Sequence, residues 1–193
     1  MVQTTPRFLN FEDYLAYDDG SDKFYELFNG ELIEVPPESG ANVAIATYLL
    51  LQFANIVGYL QVRGHGLELE VFGEPKNRYP DLTILRPEHV QQLMSRNTIR
   101  LTMAPPLVVV EVVSPGELQR ERDYRAKRQQ YEDIGVPEYW IVDPQEQQVT
   151  VLQLQGESYV EVGAFVGEEA IVSVQVPEVV ITAAQVFESV EAA

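Results

Sequence analysis

PPLVVVEVVSPGELQRERDYRAKRQQYEDIGVPEYWIVDP, residues 105–144, decides the fold. Leu107–Val113 is a near-continuous valine run, the pattern of a central strand buried on both faces. Ser114-Pro115-Gly116 breaks it and opens a polar, cation-rich helix expected from about Glu117 to Ile134. Gly135 is placed for a C-cap and Pro137 prevents continuation, so Glu138–Asp143 reads as the next strand. The stretch thus reads as strand, helix, strand. One residue breaks the apolar logic. Glu111 stands among Val108, Val109, Val110, Val112 and Val113, and a carboxylate there needs a partner, a proton or a metal to offset its desolvation. A period of two puts Val109, Glu111 and Val113 on one face and Val108, Val110 and Val112 on the other.

Working outward, the segment Tyr79–Leu85 reads as a second apolar strand beginning at or next to Asp81, which puts that acid at the strand's mouth. Further upstream, Val43–Leu60 is apolar and close to membrane-spanning length. Tyr48, Gln52, Asn55 and Tyr59 form a more polar stripe on it at helical spacing, and basic flanks are absent, so a buried helix with one wet face is expected. Lys23–Phe28 and Glu31–Val35 alternate around Asn29-Gly30, a hairpin signal, and Asn10 is placed to cap a short helix to about Ala16. Leu67–Phe72 alternates like a half-exposed strand, and Arg86–Pro106 reads as irregular or partly helical. Downstream, Gln148–Gln155 and Ser158–Val162 form a meander, Ile171–Val176 reads as an edge strand, and a short helix is expected around Ala183–Glu188. Length and pattern predict one domain over 1–193: a helix and hairpin at 8–36, a core at 40–143 and a β-rich extension at 144–193.

Composition narrows the chemistry. The chain has 193 residues, no cysteine and two histidines, His65 and His89, so thiolate zinc and multi-histidine sites are out. A catalytic metal would rest on carboxylate and carbonyl oxygens, which favours Mg²⁺, Mn²⁺ or Ca²⁺. The net charge of −17 opposes generic nucleic-acid binding. Against that, Arg120, Arg122, Arg125, Lys127 and Arg128 form one basic strip able to meet DNA locally. No signal peptide is evident, and a cytoplasmic protein without a membrane partner is expected.

Asp81 and Glu111 on neighbouring strands, followed by a lysine on the next helix, form a constellation suited to phosphodiester cleavage. Two hard-oxygen ligands hold a divalent ion, and the lysine orients water or neutralises developing charge. On the helix, Asp123, Lys127 and Tyr131 recur every four residues and share a face, either as surface pairs or as a face aimed at Glu111. Glu31 and Glu34 read as solvent-facing hairpin charges or as a supporting acid, and His65, between two glycines, as a surface residue.

The segments LVVVEVVSP, RDYRAKRQQYEDIGVPEYWIVDP, YELFNGELIEVPP and RYPDLTIL resemble the bacterial putative restriction endonuclease family (Uma family) of the PD-(D/E)XK nuclease superfamily, over about residues 22–155. The resemblance implies a mixed α/β (α+β) restriction-endonuclease-like core, helices flanking a central mixed sheet, and a Mg²⁺- or Mn²⁺-dependent DNA endonuclease. Pro80, Asp81 and Glu111 match the motif. Its lysine position is Val113 here, so the resemblance assigns that role to Lys127, and Asn42 stands where a histidine is frequent. The implied roles are Asp81 and Glu111 as metal ligands and Lys127 as the catalytic cation, in a homo-oligomer. Two other readings stay open: an inactive member of the fold acting as an interaction protein, and a purely structural Glu111 paired with Lys127 or an arginine.

Overall fold

The computed structural model describes residues 7–17, 20–21, 23–116 and 122–191, the last range with side chains from 124 to 188. Of the expected basic strip, Arg120 and the Arg122 side chain fall outside the described part. So do the Asp123 side chain and the start of the expected helix, including Glu117 and Leu118.

Asn10 caps α1 (Phe11–Leu15), its Oδ1 accepting from the Asp13 N–H at 2.9 Å. Strands β1 (Tyr25–Phe28) and β2 (Glu31–Glu34) pair as a hairpin. Asn29 and Gly30 both take positive φ, 50° and 81°, the geometry that makes Asn-Gly a hairpin turn. A side chain at Gly30 would also strike the Phe8 carbonyl. Helix α2 (Gly40–Val57) follows, capped by Ser39, whose Oγ accepts from the Asn42 N–H.

Next come a 3₁₀ turn, then β3 (Val62–Gly64), β4 (Glu68–Glu70), β5 (Asn77–Arg78), β6 (Leu82–Ile84), α3 (Pro87–Gln92), β7 (Thr98–Ile99) and β8 (Val108–Val112). A π-helical segment, Arg122–Lys127, runs into α4 (Arg128–Asp133). Strands β9 (Glu138–Asp143), β10 (Gln148–Gln155) and β11 (Ser158–Val166) precede α5 (Ala183–Glu191).

The main sheet has the order β11-β10-β9-β8-β6-β3. Strand β8 pairs parallel with β9 and antiparallel with β6, so the sheet is mixed, as expected. The valine run is buried on both faces. Val108, Val110 and Val112 pack with Ile45, Leu49 and Phe53 of α2, while Val109 and Val113 pack with Tyr131, Tyr139 and Ile141. Helix α2 is long and apolar enough to cross a membrane by length and composition alone. In this fold Ile45, Leu49 and Phe53 lie against the sheet.

Several expectations change. The expected continuous helix is a π-helical segment followed by a short α-helix. Leu67–Phe72 is not half-exposed, since β4 belongs to a separate sheet, β5-β4-β7, and Glu68 is buried. Hydroxyls of Tyr14, Tyr79 and Thr98 and the Asn77 amide donate to its carboxylate, so an acid that looked solvent-facing is solvated internally. Ile171–Val176 forms no strand; an isolated bridge joins the preceding Ala170 to Thr182. Ile171 and Val176, with Val179 and Ile181, instead cover the α2 side of the sheet, while Val172 and Val174 are exposed.

Candidate active site

Antiparallel register builds the site. Leu82 faces Val110 across β6 and β8, so Asp81, one residue earlier, stands opposite Glu111 on the same face. The Val112 N–H donates to Asp81 Oδ2 at 2.7 Å, which fixes the carboxyl at the strand mouth. Asp81 and Glu111 are 7% and 1% exposed. Burial, and next the charge of Glu111, push the Asp81 carboxyl well above the usual carboxylate range, against the opposing pull of Lys127 and the Val112 N–H.

Glu111 is held from the helix. Lys127 Nζ donates to its Oε2 at 2.6 Å, and the Tyr131 hydroxyl donates to Oε1 at 2.5 Å. Lys127 is the last residue of the π-helical segment and Tyr131 lies four positions on, in α4, so one helix face delivers both donors. Burial and the Glu111 charge push the Tyr131 hydroxyl far up, so it remains a proton donor. Gln130, beside them, accepts from Arg78 Nε at 2.8 Å, and Arg78 in turn reaches Glu26 at 2.9 Å. This chain ties the helix to the hairpin.

The structure thus brings Asp81, Glu111, Lys127 and Tyr131 together. It divides the basic strip. Lys127 turns inward and is 8% exposed, Arg128 donates to the Tyr159 carbonyl, and Arg125 is exposed. Val113 is buried in the apolar cluster with Tyr131. Asn42 ties the start of α2 to the end of β8, its Nδ2 lying 3.3 Å from the Val112 carbonyl and from Ser114 Oγ. Glu31 and Glu34 stay on the hairpin, where Glu34 pairs with Lys23 at 2.7 Å.

Two further residues contribute that sequence reasoning missed. Glu38 follows the Pro36-Pro37 pair, and its charge acts on Asp81 while its Oε2 accepts from Asn42 and Ser114. Its signal was an acid immediately before a helix cap, next to a strand end that drew the attention instead. His65 is exposed as expected, yet it lines the cleft with Glu38, Asp81, Glu111 and Lys127, in a cavity of about 280 Å³. Desolvation lowers its pKa, so the imidazole is neutral near pH 7.

Among the described residues, no group of three or more His, Asp or Glu side chains is arranged as a metal cage. A divalent ion would rest on the Asp81–Glu111 pair with solvent or substrate oxygens completing its shell. The donor chemistry fits a hard cation. A carboxylate offers about four lone-pair sites, and Lys127 and Tyr131 engage one on each Glu111 oxygen. Two buried, facing carboxylates, with Lys127 bonded to Glu111, make a site where a dication would offset the cost of ionising both acids.

The chain matches the family model Uma2, described as "Putative restriction endonuclease", over residues 11–184. Its fold is similar to the crystal structure of a putative nuclease belonging to DUF820 from Anabaena variabilis ATCC 29413. The TM-score is 0.68 at 16% identity, covering 95% of this chain and 99% of that one. No curated protein matches.

Proposed function

The chain belongs to the Uma2 family of putative restriction endonucleases, and from that premise we propose that it is a metal-dependent DNA endonuclease hydrolysing phosphodiester bonds. The observation that carries the reading is one cleft holding two facing buried carboxylates, Asp81 and Glu111, with the Lys127 ammonium on the second. Asp81 and Glu111 would hold Mg²⁺ or Mn²⁺, which supplies Lewis-acid polarisation of the phosphate and a more acidic water.

The protein's own groups do the rest. The Val112 N–H aims Asp81, and Tyr131 keeps Glu111 from turning away. Lys127, already within the cleft, offsets charge developing on the phosphate. Each of Asp81→Ala, Glu111→Ala and Lys127→Ala is expected to lower plasmid nicking in Mn²⁺ or Mg²⁺ by about a hundredfold or more. Equal nicking by wild type and all three variants would sink the assignment.

One observation favours a second reading, a non-catalytic interaction protein: both oxygens of Glu111 already accept from side chains of the same chain. Calorimetry separates the two. The nuclease reading requires Mn²⁺ binding at millimolar concentration that Asp81→Ala abolishes.

A further inference from the structure

Beside the acid pair lies a second, larger cavity of about 480 Å³. Apolar side chains make up much of its wall, with Lys23, Glu34 and Thr47 also lining it. Val35 and Pro37 come from the tail of the hairpin, Val43, Ala46 and Leu50 from α2, and Phe24 closes one end. Glu38, His65 and Asp81 line both this cavity and the cleft, so the two form one depression with the proposed cutting site at its polar end. Phe24 is 38% exposed and is fixed from behind, with ring centroids 4.9 Å from Tyr79 and 5.4 Å from His65.

We propose that this cavity receives a nucleobase, and that the substrate class of the site is DNA carrying unpaired, unstacked nucleotides next to the cut phosphate; the inference rests on the nuclease reading above. A duplex turns phosphates and sugars outward and keeps its bases stacked inside, so it has nothing apolar to place in such a pocket. A single strand, flap or bulge offers a flat apolar ring directly beside each phosphate. Aromatic platforms next to backbone-binding grooves hold single strands by this stacking, and taking out a base that is already unpaired costs least.

Charge limits what phosphates can contribute. Adhesion through phosphates, of a duplex or of a single strand, needs a basic surface, whereas the chain carries −17. Of the lysines lining the depression, Lys23 bonds Glu34 and Lys127 bonds Glu111. Binding energy taken from a base rather than from phosphates fits such a surface.

The test uses Val43→Trp and Thr47→Trp, which fill the cavity from exposed positions on α2. Cleavage in Mn²⁺ is measured on a 30-nucleotide single strand and on the same sequence as a duplex. Binding of both, fluorescein-labelled, is measured by anisotropy in Ca²⁺, which takes the same oxygen donors. The wild type is expected to cut and bind the single strand at least tenfold better than the duplex, and both tryptophan variants to lose about tenfold in each while melting like wild type. Equal handling of strand and duplex, or filled variants that act as wild type, overturns the pocket and leaves the nuclease reading standing. Single-strand binding that the variants lose, without cleavage of any DNA, overturns the nuclease reading and keeps the pocket. Absence of both binding and cleavage overturns both.

Discussion

Asp81 faces Glu111 with both carboxyls buried, so ionising Asp81 adds charge to a site where Lys127 is the bonded counter-ion. Its folded pKa lies above the unfolded value of about 3.9, so between those two values the folded state binds more protons than the unfolded one. Stability contributed here is therefore present below the unfolded pKa and falls as pH rises toward the folded value. Asp81→Asn keeps an oxygen for the Val112 N–H and removes the charge. It should raise the urea midpoint at pH 7, with the gain vanishing near pH 4. The same variant should lose the stabilisation that Mn²⁺ gives the wild type by binding the folded state. A midpoint at pH 7 no higher than that of wild type would show that Asp81 is not under this electrostatic load. Both acids were legible in the sequence because Glu111 interrupts an apolar strand and Asp81 stands at the mouth of another. Tyr131 was legible only as a member of the Lys127 face, since nothing in the sequence says that a hydroxyl in a buried position will find a carboxylate.

Lys127 shows what helical spacing can and cannot reveal. Its shared face with Tyr131 follows from a four-residue interval, and the two do converge on Glu111. The π-helical segment that carries Lys127 was not legible, because the hydrogen-bond shift that makes it has no residue signature in this polar stretch. Nor was the inward turn of Lys127 out of the basic strip, since the number of cations in a window does not say which one turns inward. Removing Lys127 leaves Glu111 buried beside Asp81, so Lys127→Met is expected to lower stability by about 3–5 kcal/mol in urea denaturation. Val113 lies two residues after Glu111, just past the end of β8, and is buried in the cluster that holds Tyr131. Adding Val113→Lys to Lys127→Met should recover at least about tenfold of the lost nicking, although an enlarged side chain at this packed position carries a penalty of about 1–3 kcal/mol. If the double variant stays as inactive as Lys127→Met, the position of the ammonium on the helix matters as well as its charge.

Across the whole molecule, β8 as a buried strand could be anticipated from the valine run, and the β1–β2 hairpin and the β10–β11 meander from their turn signals. The closing of the α2 face by residues beyond 166 could not, because it depends on one buried acid and partners 35 to 37 positions later. Glu138 is fully buried on β9. Its Oε1 accepts from Trp140 Nε1 and Ser173 Oγ, and its Oε2 from the N–H groups of Val174 and Gln175. The clamp fixes the segment that carries Ile171, Val176, Val179 and Ile181 into the core. Glu138→Ala orphans the indole and both amides, and at about 1–3 kcal/mol for each unsatisfied donor the loss should exceed about 3 kcal/mol. Glu138→Gln can keep its oxygen on the two backbone amides and turn its NH₂ toward Ser173, leaving chiefly the indole unpaired, so its loss should be smaller. Hydrogen exchange gives the decisive readout. Amides of 171–187 should lose protection in Glu138→Ala before those of β8, whereas uniform loss across the sheet would show that the acid supports β9 itself rather than the segment it clamps.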